Sequence, residues 1–83
     1  MKWLAAILLG AASAAALAGL DEDVGALQRD WAQIKYQRPA AEQEKAFAAL
    51  AQTADTVRTK HAGRAEPQIW YGIIVASQAG AFL

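Results

Sequence analysis

The chain has 83 residues, with 8 basic and 8 acidic side chains, one histidine and no cysteine. This length allows one small domain, and the zero formal charge gives no electrostatic footprint for nucleic acid or an anionic membrane surface. The absence of cysteine excludes disulfide frameworks, thiolate zinc sites, CxxC redox pairs and lipid-modified cysteine anchors.

Residues 1–18 have the pattern of a signal peptide. Lys2 precedes an apolar stretch, and small side chains close that stretch at Ala16-Leu17-Ala18. This A-x-A pattern is typical of a site for the processing peptidase. The sequence therefore predicts cleavage after Ala18, with cleavage after Ala16 as a second choice.

Cleavage after Ala18 would make Gly19 the first residue of an exported chain comprising residues 19–83. No twin-arginine pair precedes the apolar stretch, so we expect the general secretory route and a periplasmic location. The alternative is an uncleaved helix that anchors the protein in the inner membrane. That stretch is rich in alanine and only approaches the roughly 20 apolar residues of a membrane span.

A first helix is predicted over about Asp21–Gln37. Its apolar residues recur at alternating steps of four and three, which places them on one helical face. Asp21 is the expected N-terminal cap, and Pro39 ends the helix because proline disfavours helical geometry in the residue before it. The apolar face comprises Leu20, Val24, Leu27, Trp31 and Ile34, with Trp31 and Tyr36 expected at the edge of the core.

A second helix is predicted over about Ala40–His61, with Gly63 as a left-handed stop. The connection at Arg38-Pro39 is so short that the two helices must form an antiparallel hairpin. Asp55 and Arg58 are three residues apart and are expected to pair. The apolar stripe of this helix comprises Phe47, Leu50, Ala51, Ala54 and Val57.

A third helix is predicted from about Glu66-Pro67 to the C-terminus. It is apolar on all sides, so it must be buried on most sides or lie in lipid, and two helices can cover only one side of it. We therefore expect something else to cover Trp70–Leu83: a C-terminal continuation, a second copy or a membrane. The β-branched and aromatic content of Ile69–Val75 leaves a strand as the alternative.

The segment Leu50–Gly72 resembles the joint between two tetratricopeptide-type helical repeats. Leu50, Ala54 and Val57 match the second helix of one repeat, Ala62-Gly63-Arg64 the turn, and Trp70-Tyr71-Gly72 the next helix. The chain from Leu20 onward is similar to the N-terminal part of exported bacterial proteins with degenerate repeats of this kind. The resemblance implies an all-α, tetratricopeptide-like and incomplete solenoid, whose further repeats would stack on the third helix.

We therefore expect a non-enzymatic interaction module that binds a protein partner or further repeats. The alternative is a small membrane-associated protein, anchored by residues 69–83 or by the uncleaved N-terminal helix. No catalytic, metal or cofactor residue is predicted. His61 has no obvious catalytic partner, and Asp21-Glu22-Asp23 lacks the glycine and ligand spacing of a calcium loop.

Two groups of side chains are candidates for an interaction surface. One is an apolar and aromatic set on the third helix. The other is a positive patch around Gly63, which also includes His61 and has the chemistry to bind an anionic peptide terminus or a phosphate. The candidate residues are Trp70, Tyr71, Ile74 and Phe82, together with Arg58, Lys60 and Arg64.

Overall fold

The computed structural model describes the backbone of residues 2–80 and the side chains of residues 19–80. It contains three α-helices: α1 is Lys2–Gln37, α2 is Ala40–Lys60 and α3 is Ala65–Gln78. No strand occurs between residues 2 and 80. The all-α prediction is therefore confirmed, and the strand alternative for the third element is wrong.

Helix α1 does not break between the predicted signal segment and the predicted first helix. Its backbone is helical from Lys2 to Gln37, so the prediction that Asp21 caps a helix start is wrong for the unprocessed chain. The physical reason is composition: alanine and leucine are strong helix formers, and no proline interrupts them. The predicted end at Gln37 is confirmed.

A two-residue connection joins α1 to α2. The Gln43 side chain donates hydrogen bonds to the backbone oxygens of Lys35 (3.2 Å) and Arg38 (3.0 Å), and so satisfies carbonyls that the end of α1 leaves free. Pro39 precedes α2 with φ −57° and ψ 145°. The end of α2 also meets the part of α1 around Asp23, because Asp23 contacts Lys60. These contacts confirm the antiparallel hairpin.

The turn between α2 and α3 does not use the left-handed glycine that the sequence predicted. His61 donates its backbone N–H to the Val57 oxygen, and Arg64 donates to the His61 oxygen, each at 3.0 Å. Among the described residues, Gly80 alone has a positive φ, at 83°. The prediction for Gly63 is therefore wrong: hydrogen bonds in an ordinary turn end α2, whereas the left-handed glycine follows α3.

The two glycines make a matched pair of stability predictions. We expect Gly80→Ala to destabilise the fold by about 1 kcal/mol, because a Cβ disfavours the left-handed conformation. Gly63→Ala should be neutral or slightly stabilising, since no heavy atom lies within 4 Å of the added Cβ and alanine restricts the unfolded chain more. Urea unfolding followed by circular dichroism measures both variants, and equal effects would contradict this assignment.

The core lies where the three helices meet. Ala54 and Ile74 have no exposed surface, and Leu27 and Phe47 are almost completely buried. The small Ala54 side chain lets the neighbouring helices approach α2 closely. The apolar faces predicted for α1 and α2 supply most of the buried set, so those predictions are confirmed. The buried apolar residues are Leu20, Val24, Leu27, Ile34, Phe47, Leu50, Ala54, Val57 and Ile74.

Candidate functional site

Helix α3 has a buried inner side and an exposed outer side. On the inner side Ile74 is completely enclosed. On the outer side Ile69 is 58% exposed and Val75 is 39% exposed, and Gly72 lies between them with open space around its Cα. We call Gln68, Ile69, Gly72 and Val75 the outer face of α3; all four are exposed. Gly72 is three or four residues from each of the others, as on one side of a helix.

The structure divides the predicted interaction surface. The prediction that Ile74 belongs to the interaction surface is wrong, because its side chain is buried in the core. Trp70 and Tyr71 are partly buried and pack against the core. Phe82 lies outside the described residues. Exposed apolar surface on α3 is therefore found at Ile69 and Val75, neither of which was predicted as a surface residue.

Trp31 links α1 to α3 through an aromatic contact and a hydrogen bond. The ring centroids of Trp31 and Trp70 are 6.0 Å apart in an edge-to-face arrangement. The Trp31 indole Nε1 donates to Ser77 Oγ at 2.8 Å, and Ser77 donates to the Ile73 backbone oxygen at 2.8 Å. Ser77 is buried with its polar groups paired, and no feature of its local sequence predicted this contact.

Tyr36 departs from its predicted position at the edge of the core. Its side chain is 74% exposed, although its ring still meets that of Trp31 edge-on at 6.1 Å. Helix α1 ends one residue later, at Gln37. The prediction holds for Trp31, which packs against the core, and is wrong for Tyr36.

We expect Ser77→Ala to destabilise the fold by about 1–3 kcal/mol, because the partly buried indole N–H of Trp31 loses its acceptor. In a Trp31→Phe background the same serine replacement should cost much less, since no donor remains. A double-mutant cycle measured by urea unfolding tests this coupling. Additive effects of the two replacements would show that the hydrogen bond contributes nothing.

A charged cluster lies at the opposite end of the hairpin. The Asp23 Oδ2 atom is 2.9 Å from His61 Nε2 and 3.1 Å from Lys60 Nζ. The His61 side chain is only 9% exposed. Hydrogen bonds from His61 and then from Lys60 lower the pKa of Asp23, while partial burial opposes them. We call these three residues the Asp23 cluster.

The Asp23 cluster was not predicted from the sequence, because Asp23 and His61 are 38 residues apart. The available signal was the hairpin itself: folding back at Arg38-Pro39 brings the part of α1 around Asp23 beside the end of α2. An acid near position 23 was therefore the natural partner for a cation near position 61.

Each basic residue of the predicted positive patch lies beside a carboxylate. Arg58 Nε is 2.7 Å from Asp55 Oδ1, which confirms the predicted pair, and its guanidinium also lies 4.1 Å from the Tyr71 ring centroid. Arg64 Nε is 4.0 Å from Glu66 Oε2, and Lys60 contacts Asp23. The patch is thus charge-balanced, which leaves little excess positive potential for an anion.

Two open clefts flank α3. One, of about 320 Å³, lies between the beginning of α2 and the end of α3 and includes Gln43 and Gln78. The other, of about 230 Å³, lies between α1 and the α2–α3 turn and includes Val24 and Arg64. In the part of the chain that the structure describes, no three His, Asp or Glu side chains are arranged to hold a metal ion.

Comparison of the chain with protein-family models, with curated proteins and with solved structures finds no match. Among the residues with described side chains, no helix has both the length and the apolar character needed to cross a membrane.

Proposed function

We propose that this chain is an exported, non-enzymatic interaction module whose outer face of α3 docks a further helix. The observation that carries the proposal is the exposure of Ile69 and Val75 on either side of Gly72. Removal of such apolar side chains from water favours association. A glycine between them lets another backbone approach closely. The docked helix belongs to a protein partner or to further helical repeats.

The arrangement of the helices supports this proposal. Helix α3 packs on α2 in the antiparallel sense, because the end of α3 lies beside the beginning of α2 and Gln68 bonds to the Arg58 oxygen near the end of α2. Helix α1 contributes Trp31, which packs against the core and bonds to Ser77. In arrays of helical hairpins, each unit buries its open face against the next unit. We infer that another unit would stack on the outer face of α3, as the tetratricopeptide resemblance of Leu50–Gly72 implies.

Site-specific photo-cross-linking in a bacterial host tests the docking face. A photoreactive amino acid replaces Ile69, and in a control it replaces Gln52, an exposed residue of α2. We expect a discrete protein adduct from position 69 and none from position 52. Equal labelling at both positions, or no protein adduct at position 69, would contradict the docking face. A lipid adduct at position 69 would favour the membrane-associated alternative.

Fractionation with N-terminal sequencing tests export independently of docking. We expect the product to be released with the periplasmic fraction and to begin at Gly19, since the small side chains at Ala16 and Ala18 suit the processing peptidase. A product that retains Met1 and resists carbonate extraction would support the anchored alternative. A product that retains Met1 in the cytosol would contradict both forms of the proposal.

A further inference from the structure

The geometry points to an acid-released latch formed by the Asp23 cluster, which holds residues 20–24 of α1 against the α2–α3 turn. One carboxylate oxygen, Asp23 Oδ2, contacts both Lys60 and His61 across the two helices. The other ion pairs with defined partners are local. They join residues no more than four positions apart: Arg38 with Glu42, Arg58 with Asp55, and Arg64 with Glu66.

The charges around the latch come from all three helices. On α1, Asp21 and Glu22 are exposed neighbours of Asp23 in sequence. On α2, Arg58, two residues before Lys60, is paired with Asp55. At the beginning of α3, Glu66 faces Arg64. Asp23 is therefore the carboxylate through which Lys60 and His61 hold α1.

The latch lies beside apolar packing that it can hold closed. Leu20 and Val24 are buried at this end of α1, and both line the cleft of about 230 Å³ that Arg64 and Glu66 close from the other side. If α1 moves away from the turn, this cleft widens and exposes both apolar side chains. The remainder of the core, around Phe47 and Ile74, lies further along the helices.

The lowered pKa of Asp23 determines how the stability of the latch depends on pH: acid releases it. The pKa of Asp23 is lower in the folded chain than its ordinary value. The contact therefore stabilises the folded chain above about pH 4, the ordinary pKa of an aspartate. This stabilisation is lost as the pH falls through the lower pKa that Asp23 has in the folded chain. Once Asp23 is protonated, its side chain no longer holds Lys60 and His61 as a carboxylate.

Hydrogen exchange read by mass spectrometry on the full chain tests the latch at about pH 7 and about pH 2.5, which lie on either side of the ordinary aspartate pKa of about 4. After correction for intrinsic exchange, we expect acid to reduce the protection of residues 20–28 by about fivefold, the scale of an exposed ion pair. Residues 47–57 should keep their protection. Asp23→Asn should show the reduced protection of residues 20–28 already at neutral pH and no further loss in acid.

Asp30→Asn is the matched control, because Asp30 is an exposed acid on the same helix. It should reproduce the pH response of the unmodified chain. The latch is contradicted if Asp23→Asn responds to acid as strongly as the unmodified chain. It is also contradicted if residues 47–57 lose protection together with residues 20–28, because acid would then unfold the whole domain.

Discussion

Phe47→Ala is expected to cost about 3–5 kcal/mol and to leave the chain largely unfolded at room temperature. Phe47 is only 2% exposed and is among the largest fully buried side chains of the described residues. A core in a chain of this size seldom yields more than about 3–5 kcal/mol in total. Loss of the phenyl ring removes buried surface and leaves a cavity that small neighbours such as Ala54 cannot fill.

Circular dichroism at 222 nm with a urea titration measures this effect, and Tyr36→Ala is the control. Tyr36 is also aromatic but 74% exposed, so its removal should cost no more than about 1.5 kcal/mol, the upper range for one aromatic pair. A cooperative transition in Phe47→Ala with the midpoint of the unmodified chain would show that Phe47 does not occupy the core.

Ile74→Ala is expected to destabilise the fold by about 2–5 kcal/mol, whereas Ile69→Ala should change stability by no more than about 0.5 kcal/mol. The chemical change is identical, but Ile74 has no exposed surface and Ile69 is 58% exposed. This pair of variants separates the inner side of α3 from its outer face. It therefore also measures how much the free energy of unfolding depends on the packing of α3 against α1 and α2.

Urea unfolding of the full chain measures both isoleucine variants. Equal destabilisation would mean that α3 is covered on both sides, and the docking proposal would lose its open face. A small effect from both replacements would mean that α3 is not part of the folded core. The proposal requires the large difference between the two positions that burial predicts.

Local sequence patterns predicted the hairpin well. The steps of four and three from Leu20 to Ile34 identified the buried side of α1, because polar residues occupy its other sides. Pro39 set the connection between the helices, because its effect on the preceding residue needs no distant partner. The same local logic was wrong at Gly63, where hydrogen bonds of His61 and Arg64 complete the turn with ordinary backbone angles.

The candidate site was predicted less well, because its members are distant in sequence. The indole of Trp31 finds Ser77 46 residues away, and the carboxylate of Asp23 finds His61 38 residues away. Neither contact has a periodic or motif signal. The predicted patch of Arg58, Lys60 and Arg64 has the right residues, but a composition count does not reveal the carboxylate that folding brings to each of them.

The sequence by itself determined that this protein forms helices, where α2 and α3 begin and which sides of α1 and α2 turn inward. Helix formers, prolines and apolar periodicity act over a few residues, so no other part of the chain is needed to interpret them. Only the tertiary structure decided the orientation of α3. That helix has no clearly polar side that would orient it. Only its packing against α1 and α2 places Ile74 in the core and leaves Ile69 and Val75 exposed.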